Sequence, residues 1–151
     1  MKRRERASLD ICGIAAHFHC VLQSLNRYRD AGITLSSHID GLLDESSSLA
    51  KALLPSKRNT RLRILELGTG CGIVGISIAQ IIGGAKVLLT DLPEAQGIVE
   101  RNISQARTAK GSSLAFRKLD WDAELPQNLQ APSPPFDLVV AADCTYNPDS
   151  R

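Results

Sequence analysis

The stretch Ile64–Ile76, "ILELGTGCGIVGI", decides how the chain reads, because it holds two overlapping glycine patterns. Gly70-x-Gly72-x-x-Gly75 has the spacing of a dinucleotide-binding turn, where the backbone comes close to a pyrophosphate. Glu66-x-Gly68-x-Gly70-x-Gly72 is phased differently and sets a carboxylate ahead of the glycines. One turn cannot serve both ligands, so the flanking sequence has to choose between them.

Working outward, "RLRILEL" before the turn is a short, nearly continuous apolar run, as expected of a buried parallel strand. After it, "GIVGISIAQII" reads as a helix ending at Gly83-Gly84, where glycine suits a C-cap. "AKVLLTD" is a second strand ending on Asp91. Pro93 fits the first turn of the next helix, whose Ile98, Val99 and Ile103 lie on one side. "SLAFRKLD" is a third strand, and a loop with Pro126, Pro132, Pro134 and Pro135 leads to a fourth, "FDLVVAAD". Repeated strand–helix–strand units imply an α/β fold with a parallel sheet and right-handed crossovers.

Upstream, Ile11, Ile14, Ala15, Phe18, Val21, Leu22 and Leu25 form an apolar stripe at helical spacing between about Ser8 and Asp30. "AGITLSS" is expected to break that helix. A second is expected from Asp40 or Asp44 through "SSSLAKALL" to Pro55, followed by an exposed basic loop, "PSKRNTR". Downstream, "DLVVAA" is apolar at consecutive positions, so both faces of the fourth strand should be covered inside a sheet. Asn147 and Pro148 look like the start of a further helix, yet the sequence stops three residues later. The expected organisation is an N-terminal helical segment, residues 1–39, and the front part of a larger α/β domain, residues 40–151.

Composition narrows the functional classes. With 151 residues, 43% of them hydrophobic, and no long apolar run, about one globular domain is expected and no membrane span. A net charge of +2 does not point to nucleic acid. "MKRRER" lacks the apolar core of a signal peptide, and Glu5, Asp10 and Asp30 suit a mitochondrial presequence poorly. Cys12, Cys20, Cys71 and Cys144 have no disulfide-framework spacing, so free thiols in a reducing compartment are expected, the cytoplasm first and the nucleus as the alternative. Cys12, His17, His19 and Cys20 lie close in sequence, but His17 and His19 point to different sides of a helix and the spacing fits no tetrahedral pattern well. No metal site is expected.

The strand ends then choose the ligand. A carboxylate at Glu66 would repel a pyrophosphate but favours a ligand with an ammonium and a sulfonium. Asp91 is placed to accept hydrogen bonds from ribose hydroxyls, which both ligands have. In "LDW", Asp120 can accept from an adenine amino group while Trp121 covers the ring. Glu66, Asp91 and Asp120 together favour S-adenosylmethionine over a dinucleotide.

With those residues in place, "LELGTGCGIVGI", "LLTDLPEA", "LDW" and "VVAADCTYNPDS" resemble the seven-strand S-adenosylmethionine-dependent methyltransferases, specifically the protein-lysine methyltransferase group with an Asp-x-x-Tyr motif after strand four. The resemblance covers about Leu43 to the C-terminus. It implies a Rossmann-like fold in which this sequence supplies the 3-2-1-4 part of a sheet usually ordered 3-2-1-4-5-7-6. Glu66, Gly68, Thr69, Gly70 and Gly72 would surround the methionine part of the cofactor. Asp91 and Leu92 would hold the ribose, Asp120 and Trp121 the adenine, and Ala142 would form the wall beside the sulfonium. Asp143 and Tyr146 would shape a channel for the lysine of a protein substrate. The family's usual tryptophan–aspartate pair before strand one is Leu43-Asp44 here. With strands five to seven absent, cofactor-site residues are expected to be retained and turnover to be weak. Two alternatives stand beside this reading: an NAD-type oxidoreductase fragment resting on the GxGxxG match, and a noncatalytic module pairing through the edge of strand four. Oligomeric state is left open.

Overall fold

In the computed structural model, residues 30–41, 61–130 and 134–142 are described. The first strand, β1 (Arg63–Leu67), alternates buried and half-buried positions, with Ile64 and Glu66 turned inward. A tight turn leads into α2 (Ile73–Ile81), numbered after the upstream helix α1 (Asp30–Gly41). Next come β2 (Lys86–Asp91), a 3₁₀ turn at Pro93–Ala95, and α3 (Gln96–Gln105). β3 (Ser113–Lys118), the short α4 (Gln127–Gln130) and β4 (Leu138–Ala141) complete the described elements.

The four strands form one parallel sheet in the order β3-β2-β1-β4. This is the expected α/β architecture. Steps from β1 to β2 to β3 run in one direction, and right-handed crossovers therefore set α2 and α3 on the same side of the sheet. Registered neighbours in a parallel sheet share a face, so Ile64, Val87 and Leu138 form one row, and Glu66, Leu89 and Val140 the next. The core lies on this side: Ile64, Val74, Ile76, Ile78, Val87, Leu89 and Val99 are all buried. α2 is buried nearly all round, as befits a helix held between a sheet and a second helix.

Two expectations are corrected. "AGITLSS" does not break a helix; it lies within α1, which packs against α2. Gly32 sits where a Cβ would be 3.4 Å from Ile73 Cγ2, Ile39 joins the core, and the Ser36 hydroxyl donates to the Gly32 carbonyl at 2.8 Å. Close packing through Gly32 and burial of Ile39 override the weak helix propensity of Gly, Ile, Thr and Ser. β4, in turn, is not covered on both faces. Leu138 and Val140 are half-buried, whereas Ala141 is exposed and Val139 is 55% exposed. Among the described elements its main packing partner is β1.

The expected division between residues 39 and 40 falls inside α1. The upstream helix, Cys12, His17, His19, Cys20, Leu43-Asp44, Cys144 and Asn147-Pro148 lie outside the described residues. No described helix is long and apolar enough to cross a membrane.

Candidate functional site

The turn from Gly68 to Gly72 sits at the carboxyl end of the sheet, where open α/β sheets take their ligands. Gly68, Gly70 and Gly72 have φ of 60°, 59° and 87°, a left-handed conformation that other residues rarely adopt. Only Thr69 and Cys71 carry side chains there, and both are buried. The outer surface of the turn is therefore backbone, open to close approach by a ligand.

Beneath the turn lies Glu66, 2% exposed. Its Oε2 accepts hydrogen bonds from the Thr69 hydroxyl at 2.6 Å and the Gly75 amide at 3.0 Å. The carboxyl thus clamps the end of β1 to the first turn of α2, and its contribution to a ligand passes through the shape and charge of the turn. Burial pushes its pKa from 4.5 up to about 7; the bonds from Thr69 and Gly75 pull the other way, and the nearby Asp91 charge adds to the rise. Gly75 explains the third glycine of the GxGxxG spacing without any pyrophosphate. A Cβ there would fall 2.1 Å from Leu89 Cδ2 and 2.5 Å from Glu66 Oε2. The glycine is demanded by packing of helix on strand.

Asp91 closes β2 on the ligand side of the turn. Its Oδ2 accepts from the Gly70 amide at 2.6 Å and its Oδ1 from the Leu92 amide at 2.7 Å. Each carboxylate oxygen keeps a second lone pair for a hydroxyl donor. The Leu119 amide bonds the Asp91 carbonyl at 2.8 Å, which sets "LDW" beside "DL" at adjacent strand ends. Asp120 is exposed there and accepts from the Asp122 amide at 3.0 Å. Trp121 is 45% exposed and Leu92 48%, so neither is a core residue. Two carboxylates and two uncovered apolar side chains thus lie on adjacent strand ends beside a glycine-rich turn, the mixture that small-ligand sites use. Ala142 is half-buried and packs against the core just past β4, whose Ala141 pairs with Leu67, the residue before the turn. Asp143 and Tyr146 lie outside the described residues. Among the described residues no group of three His, Cys, Asp or Glu side chains could hold a metal ion.

Two residues of the site were not anticipated. Thr90, fully buried, donates its hydroxyl to the Glu66 carbonyl at 2.6 Å, and its own carbonyl accepts from the Thr69 amide at 2.9 Å. Asn102, 6% exposed, donates through Nδ2 to the Cys71 carbonyl at 2.7 Å. For Asn102 a signal existed: it sits in the apolar stripe of α3 beside Val99 and Ile103, and a polar residue in such a stripe needs a partner.

Sequence comparison bears on the same region. Residues 26–151 match a protein family described as lysine methyltransferase. A UPF0665 family protein of Schizosaccharomyces pombe is 35% identical over 89 residues, 59% of this chain and 26% of that protein. The protein-lysine methyltransferase METTL21E of Mus musculus is 38% identical over 84 residues, 55% of this chain and 34% of its own length. The protein-lysine N-methyltransferase rrg1 of Schizosaccharomyces pombe is 34% identical over 109 residues, 67% of this chain and 35% of its own. The chain thus spans between 26% and 35% of the length of these relatives. With the family match running from residue 26 to residue 151 across the 3-2-1-4 sheet and its glycine turn, the chain belongs to the lysine methyltransferase family.

Proposed function

We propose that this chain carries the S-adenosylmethionine-binding part of a protein-lysine methyltransferase. The observation that carries the reading is the turn of three left-handed glycines with Glu66 beneath it and Asp91 bonded to its middle amide. Backbone without side chains admits a bulky sulfonium ligand. The Asp91 carboxylate, bonded to the turn, makes the place negative, which favours a cation and opposes a pyrophosphate; Glu66, holding its proton to about pH 7, adds charge only as it ionises. The residues fit the cofactor: Gly68, Thr69, Gly70 and Gly72 for the methionine part, Asp91 and Leu92 for the ribose, Asp120 and Trp121 for the adenine. When bound, S-adenosylmethionine supplies an electrophilic methyl group on sulfur.

What the protein adds is alignment and exclusion of water, since methyl transfer to an amine needs little acid–base machinery. In our reading Ala142 walls the reacting end. Asp143 accepts a hydrogen bond from the neutral lysine amine and orients it, and Tyr146 packs on the lysine and favours its methylated, cationic form. Two of the relatives, METTL21E of Mus musculus and rrg1 of Schizosaccharomyces pombe, are protein-lysine methyltransferases, which supports a protein lysine as acceptor.

The test is transfer of labelled methyl from S-adenosylmethionine to lysines of a cell extract, with Asp143→Ala as control. Labelled lysine that disappears in the variant supports the assignment. Label confined to other residue types, or label unaffected by Asp143→Ala, contradicts it.

A further inference from the structure

The inner face of α3 carries one buried polar residue. Val99 is fully buried, and Ile98 and Ile103 pack on the core. Asn102, on the same side, is 6% exposed and spends an amide hydrogen on the Cys71 carbonyl, 31 positions away. That carbonyl belongs to the peptide joining Cys71 to Gly72. The Gly72 amide closes the turn on the Thr69 carbonyl at 2.8 Å, and the Gly72 carbonyl accepts the bond that opens α2, from the Ile76 amide at 2.9 Å. Orientation of this one peptide therefore sets the closure of the turn, and it does so immediately before Gly72, whose own carbonyl starts the helix. A glycine at φ 87° does not fix that orientation by itself, because glycine has many other conformations open to it.

The bond is one of three. The Thr69 amide is held by the Thr90 carbonyl, the Gly70 amide by Asp91 Oδ2, and the Cys71 carbonyl by Asn102. Three successive residues of the turn are thus tied to the β2–α3 unit, and the third tie comes from a side chain on a helix. Thr90 and Asp91 lie at the strand end. Asn102 lies behind the turn and reaches a ligand only through Cys71.

We propose that Asn102 is a positioning residue that holds the glycine turn in its ligand-ready shape before the cofactor arrives. This rests on the reading of the turn as an S-adenosylmethionine site. A turn fixed in advance spares the ligand the cost of ordering it, and affinity rises accordingly.

Asn102→Asp keeps the shape of the side chain and replaces the donor by an acceptor when ionised. Val99→Ala, three residues away on the same helix face, removes core packing and leaves the bond intact. Both variants are titrated calorimetrically with S-adenosylhomocysteine well below their melting temperatures. Asn102→Asp is expected to weaken binding at least about tenfold, the consequence of facing a buried carbonyl with no donor. Val99→Ala is expected to bind like the wild type despite its lower melting temperature. Equal weakening by both variants, or wild-type affinity in Asn102→Asp, overturns the inference. A wild-type chain that binds no S-adenosylhomocysteine overturns the cofactor reading and this inference with it. Should Asn102→Asp fail to fold, the wild type still decides through hydrogen exchange at the Gly72 amide. Protection already present without ligand supports a pre-formed turn; protection that appears only on adding S-adenosylhomocysteine contradicts it.

Discussion

Burying a carboxyl group between a sheet and a helix is costly, and Glu66 meets the cost by holding its proton to about pH 7 and by accepting bonds from Thr69 and Gly75. The sign of the resulting pH effect follows directly. Unfolded chains release this proton near 4.5, whereas the folded chain keeps it to about 7, so the native state binds more protons in between. The stability linked to Glu66 is present below pH 4.5 and is lost as pH rises to about 7, on the order of 3 kcal/mol. In Glu66→Gln that component of the pH dependence should vanish, as read by urea unfolding between pH 5 and 8; an unchanged slope would place its source elsewhere. Thr69→Val removes the hydroxyl donor that lowers the Glu66 pKa. Carboxyl titration by NMR should then show the Glu66 midpoint moved higher, and a lower midpoint would deny the bond its role. The sequence reading set Glu66 at the strand end facing the ligand, whereas in the structure it shares the buried face of Ile64. Its partners were not legible either, since the Gly75 amide, and the space that only a glycine leaves for the carboxyl, come from helix packing.

At the scale of elements, the four strands, α2 and α3 were legible because their signals agree, apolar runs bounded by turn residues with helical spacing between them; the one-turn α4 falls in the stretch read as a proline-containing loop. α1 was not legible, because Gly32, Ile33, Thr34 and Ser36 are poor helix formers that hold the conformation through contact with α2. The contact of α2 with the sheet is close enough to predict its weak point. Gly75→Ala sets a methyl against Leu89 and Glu66 and should destabilise the chain by roughly 1–3 kcal/mol or more, measured by chemical unfolding. Gly97→Ala is the comparison, since a Cβ there meets nothing within 4 Å and α3 gains helix propensity. It should be neutral or slightly stabilising, and equal losses at both glycines would contradict the packing account.

Among the described residues the two faces of the sheet are covered unequally, most clearly at β4. Ile64, Val87, Leu89 and Val99 form the sealed side, while Val139 and Ala141 are exposed on the other. Consecutive apolar residues in β4 had implied cover on both faces, and nothing in the local sequence tells which side goes uncovered. Val139→Lys should therefore cost within about 0.5 kcal/mol, and Val140→Lys, which turns a charge toward the core, distinctly more. The candidate site was legible as strand ends: Asp91, Leu92, Asp120 and Trp121 do come to adjacent positions. Its ties to α3 were not, because contact between the Cys71 carbonyl and Asn102 depends on how that helix lies on the sheet. The central claim is that the glycine turn and Asp91 receive S-adenosylmethionine and not a dinucleotide. Parallel calorimetric titrations with S-adenosylhomocysteine and NAD test it most directly, with Asp91→Ala as control. The account predicts binding of S-adenosylhomocysteine that is lost in Asp91→Ala; preferential binding of NAD would contradict it.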